Sequence, residues 1–84
     1  MVQVHVPEVN LYVEYEDKTC LERVIQRFQE LGIKVLNLEV MRANGSEKHC
    51  ASALFLLRLR RNTGAEHLIG MLDEMEGVVT AEEL

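Results

Sequence analysis

Two stretches of roughly forty residues follow one plan: an apolar strand-like run, a Thr-x-x-Glu tetrapeptide opening a helical stripe, and a closing glycine. In the first, Val9, Leu11, Val13 and Tyr15 are apolar while Asn10, Glu14 and Glu16 are polar, the period-two signature of a half-buried strand. Thr19 and Glu22 have the spacing of a capping box, in which hydroxyl and carboxylate each satisfy an orphan backbone donor. Leu21, Val24, Ile25, Phe28 and Leu31 then share one helical face, and Gly32 supplies the left-handed residue that ends it. The second stretch repeats this with Thr63 and Glu66, the stripe Ala65, Leu68, Ile69, Leu72 and Met75, and Gly77.

Strand composition returns over Ile33 to Arg42, Ala51 to Arg60 and Val78 to Ala81. Asn44-Gly45 tolerates the positive φ of a type I′ turn and predicts a tight hairpin between the first two of these. A two-residue turn there sets Leu36 opposite Ala53, Leu38 opposite Ala51 and Val35 opposite Leu54. Leu36, Leu38, Val40, Ala53, Phe55, Leu57 and Leu59 then share the core face. The order β-α-β-β-α-β with right-handed crossovers predicts an α+β, ferredoxin-like sandwich: a four-stranded antiparallel sheet with two helices on one face. Residues 9–84 form this domain, and residues 1–8 are a linker or strand extension, because Val2, Val4 and Val6 alternate but Pro7 interrupts.

At 84 residues one domain is expected. A chain of this size buries about 60% of its unfolded surface, which builds one two-layer core but no deep catalytic cavity. The longest apolar run, Ala53 to Leu57, falls far short of the roughly 18 residues of a membrane span. The opening Met1-Val2-Gln3-Val4-His5-Val6 has neither a basic region nor an apolar core ahead of a cleavage site, so no secretory signal is expected. Two cysteines in such a chain point to a reducing compartment, a cytoplasm. Fourteen acidic against nine basic side chains, a net charge of −5, argue against a nucleic-acid footprint. Arg58, Arg60 and Arg61 are the only basic cluster, and two Tyr and two Phe offer few stacking platforms.

Chemistry-bearing residues are few. Cys20 opens the first helix, where the macrodipole favours a thiolate, although a small buried cysteine is the commoner arrangement. His49 and Cys50 are adjacent and so point to opposite faces of a strand, and no HxxxH or CxxC spacing occurs; no metal site is assigned. The carboxylates Glu14, Glu16 and Asp17, and separately Asp73, Glu74 and Glu76, read as solvated edges. No nucleotide-binding or hydrolase motif is present, so no cofactor and no enzyme activity is expected. The sheet face away from the helices is predicted to carry Tyr12, Val35, Met41, Leu54 and Leu56 among charges. Such a rimmed apolar patch suits self-association, as a homodimer, or contact with a partner domain.

With Leu11-Tyr-Val-Glu-Tyr-Glu-Asp-Lys-Thr-Cys-Leu21 leading into Gly32-Ile33, the segment from Val9 to Leu84 resembles an ACT domain, a regulatory module appended to metabolic enzymes. Asp17, Leu21, Gly32 and Ile33 fit its signature, while Thr19 and Cys20 stand where that family has proline and glycine. The resemblance implies a ligand site for an amino acid or divalent cation at Asp17, Lys18, Thr19 and Cys20. More narrowly, Gly32-Ile33, Leu38-Glu39-Val40-x-Arg42 and Leu72-x-x-Met75-x-Gly77-Val78 resemble the C-terminal cytoplasmic domain of MgtC/SapB-family bacterial membrane proteins. That resemblance implies a soluble tail on the cytoplasmic side of an inner membrane, joined by Met1 to Pro7 to a transmembrane domain absent from this sequence. The role it implies is regulation or assembly in a protein tied to Mg2+ limitation.

Overall fold

The computed structural model describes residues 8–42, 51–60 and 64–84. The elements run β1 (Glu8–Tyr15), α1 (Lys18–Glu30), β2 (Lys34–Arg42), β3 (Ala51–Arg58), α2 (Ala65–Asp73) and β4 (Val78–Glu83). They build one antiparallel sheet in the order β2-β3-β1-β4, the ferredoxin-like arrangement expected from the sequence. The alternation of β1 has the predicted consequence: Leu11, Val13 and Tyr15 are buried, and the residues between them are half-buried or exposed. Ala53, Phe55, Leu57 and Leu59 supply the neighbouring row, and Cys20, Val24 and Phe28 of α1 with Leu68 and Leu72 of α2 close over it. Phe28 meets Phe55 edge to face, centroids 5.2 Å apart at 87°, the geometry the aromatic quadrupole favours.

Helix α1 ends as predicted. Gly32 takes φ +74, its N–H donates to Gln29 O at 3.1 Å, and Ile33 N donates to Phe28 O at 2.9 Å. These two bonds make a Schellman cap, with the buried Ile33 and Phe28 as its apolar contact. The start differs from the sequence reading. Asp17, not Thr19, is the N-cap, its carboxylate accepting from Cys20 N at 2.9 Å, so no Thr19–Glu22 capping box forms. A carboxylate caps better than a threonine hydroxyl, and Asp17 stands in the extended conformation a cap requires. Helix α2 starts at Gly64 without a side-chain cap, and Thr63 lies outside the described residues. It also ends earlier than the stripe implies, at Asp73; Met75 still packs on the core, from the turn leading to Gly77 at φ +93.

The larger correction concerns register. Leu38 pairs with Phe55 and Val40 with Ala53, a shift of four residues from the alignment a two-residue turn at Asn44-Gly45 imposes. The last described pair is Arg42 with Ala51, and Asn44-Gly45 itself lies outside the described residues. An even shift leaves each side chain on its face, which is why the core prediction for Leu38, Ala53, Phe55 and Leu57 survives it. Val40 is on the predicted face yet half exposed. A bulge between Val35 and Asn37 adds an odd step, and Val35, opposite Leu57, packs against the core instead of facing outward. Leu36 is the extra residue of the bulge. A second bulge sits between Glu14 and Tyr15, opposite Val79, which is 50% exposed. The fourth strand runs on past Ala81 to Glu83.

Candidate functional site

Two regions carry the sequence-predicted site residues. The first is the β1–α1 junction. Glu16 N donates to Gly77 O at 2.9 Å, tying this junction to the turn between α2 and β4. Glu16, Asp17, Glu74 and Glu76, which the sequence separates into two clusters, therefore share one end of the domain and are all exposed. Lys18 and Thr19 are exposed beside them. One oxygen of Asp17 is held by the helix cap. Among the described residues no group of three or more acidic, histidine or cysteine side chains is arranged to hold a metal ion.

Cys20 does not behave as the helix position alone suggests. Its side chain is fully buried, and its Sγ donates to the carbonyl of Glu76 at 3.6 Å. Burial raises the thiol pKa above its ordinary value; Arg23 opposes the shift, and the carboxylates of Asp17 and Glu16 add to it. Desolvation outweighs the Arg23 charge, and the thiol packs between α1 and the Gly77 turn.

The second region is the sheet face opposite the helices, and pairing fixes its rows. Lys34, Arg58 and Glu8 form one end; Asn37, Leu56 and Asn10 come next; Glu39, Leu54, Tyr12 and Glu82 follow; Met41, Ser52, Glu14 and Thr80 form the other end. Leu54, Leu56 and Tyr12 make a half-buried apolar centre, and Met41 at its corner is 38% exposed. The bulge changes the membership, since Val35 leaves this face and the half-buried Leu36 stands beside Asn37. A bulge has no signature in a single apolar run, so the sequence could not have shown this exchange. Tyr12 donates to Glu14 Oε1 at 2.8 Å, and that bond to an anionic acceptor raises the phenol pKa. At the opposite end Arg58 pairs with Glu8 at 3.1 Å, while Lys34 is exposed. The end where β1 begins thus mixes Lys34 and Arg58 with Glu8, and the carboxylates Glu39, Glu82 and Glu14 stand toward the other end.

Sheet order, antiparallel pairing and the one-sided helical layer define an α+β domain of the ferredoxin-like class. Within that class the chain is similar to a solution structure of the C-terminal domain of the MgtC protein from Mycobacterium tuberculosis. The TM-score is 0.72, the match covers 100% of this chain and 92% of that chain, and the identity is 16%. The similarity anticipated from the Gly32-Ile33 and Leu72-to-Val78 segments is therefore present in the fold. No protein-family model and no curated protein matches the chain. Among the described residues no helix is long and apolar enough to cross a membrane.

Proposed function

We propose that this chain is a non-catalytic regulatory and oligomerisation domain, the cytoplasmic C-terminal part of an MgtC-type bacterial inner-membrane protein linked to Mg2+ limitation. The observation that carries the reading is the whole-domain likeness to an MgtC C-terminal domain, end to end in this chain and nearly so in the other. The open sheet face supports the oligomeric part, with a half-buried apolar centre inside a charged rim. The burial of Cys20, which raises its thiol pKa, agrees with a non-catalytic reading. Two measurements test the proposal. The complete open reading frame should encode several apolar segments of about 20 residues ahead of this domain, and their absence would refute the membrane part. Sedimentation equilibrium of the 84-residue chain at millimolar concentration should show a monomer–dimer equilibrium, and a strict monomer would refute the oligomeric part.

A second reading, a sensor for an amino acid or a divalent cation, draws on the convergence of the β1–α1 and α2–β4 turns, where Asp17, Lys18 and Thr19 are exposed. A ligand at a hundredfold over its dissociation constant stabilises by about 2.7 kcal/mol, which a thermal-shift panel of amino acids, Mg2+, Ca2+ and Zn2+ would register. A flat panel would dismiss this reading and leave the first untouched.

A further inference from the structure

We draw no further inference here: the strongest candidate, the half-buried apolar patch of Leu54, Leu56 and Tyr12 on the open sheet face, carries nothing, because its rim mixes charges of both signs and nothing in the structure shows what covers it.

Discussion

Replacing Gly77 by alanine should be among the most damaging single-methyl changes available in this protein. Gly77 has φ +93, where a residue with a Cβ carries a backbone cost of about 1–2 kcal/mol. The added methyl would lie 3.0 Å from Cys20 Sγ and 3.1 Å from Cys20 Cβ. Cys20 is fully buried under the start of α1, so it cannot retreat without disturbing the helix, and overpacking of this kind costs about 1–3 kcal/mol. The unfolded chain loses freedom on gaining a Cβ, which offsets about 0.4–1 kcal/mol. The net loss is about 2–4 kcal/mol, or a fall in Tm of about 10–25 °C for a domain of this size. Gly32→Ala isolates the backbone part. Gly32 has φ +74, and the three atoms nearest its methyl would all belong to the exposed Arg60 side chain, the first at 2.8 Å, which can swing into solvent. That variant should lose about 1 kcal/mol. Gly70→Ala, inside α2 with nothing within 4 Å of the new methyl, should gain up to about 1 kcal/mol. Differential scanning calorimetry of the three variants gives the order directly. If Gly77→Ala melts within about 3 °C of the parent, or no lower than Gly32→Ala, the wedge between Cys20 and the Gly77 turn does not exist as described.

Three further outcomes follow from the corrected local structure. Asp17→Ala should cost about 1 kcal/mol as a lost N-cap, while Thr19→Ala should change urea stability by less than about 0.5 kcal/mol; the reverse order would restore the Thr19 cap. Val35→Asp should destabilise by more than about 2 kcal/mol and Leu36→Asp by less than half as much, because only Val35 packs on the core; equal losses in chemical denaturation would contradict the bulge. For Cys20 the fold favours the neutral thiol, because burial raises its pKa. Its contribution is full below the unfolded thiol's pKa of about 8.5 and is lost as pH rises through the folded value. The melting temperature should therefore fall above that pH in the parent and fall less steeply in Cys20→Ala. In a Cys50→Ser background, iodoacetamide should label Cys20 far more slowly in native than in unfolded protein, and equal rates by mass spectrometry would refute its burial.

Much of the fold was legible because local signals and burial agree. The stripe ending at Phe28 and Leu31 and the glycine after it dictate a helix and its Schellman cap, and the alternation through Leu11, Val13 and Tyr15 dictates which face of β1 is buried. What the sequence left ambiguous is the pairing of β2 with β3. Side-chain alternation fixes register only modulo two, so the alignment built on Asn44-Gly45 and the observed one bury almost the same residues. The bulge at Leu36 then exchanged Val35 for its neighbour on the open face, an event that no composition or spacing records. The N-cap was misplaced for a different reason: Asp17 and Thr19 are both good caps, and the choice depends on where β1 releases the chain. The two acidic clusters looked unrelated because fifty or more residues separate them, and the Glu16–Gly77 backbone bond, the Cys20–Glu76 contact and the pairing of Tyr15 with Val78 bring them to one end.

The bulge in β2 also bears on how the chain reaches its native state. A hairpin whose strands bury nearly the same residues when slid by two or four positions has several alignments of similar apolar burial, and a collapsed chain can arrest in any of them before the helices dock. The extra residue at Leu36 separates the alternatives: at the observed alignment it lets Val35 and Leu38, three apart, both pack on the core, whereas a slide without the bulge turns one of them outward. Leu36 is thus a vernier for strand assembly. Deleting it should leave the native contacts within reach while slowing refolding, as chains that collapse out of alignment must open before they can pair correctly.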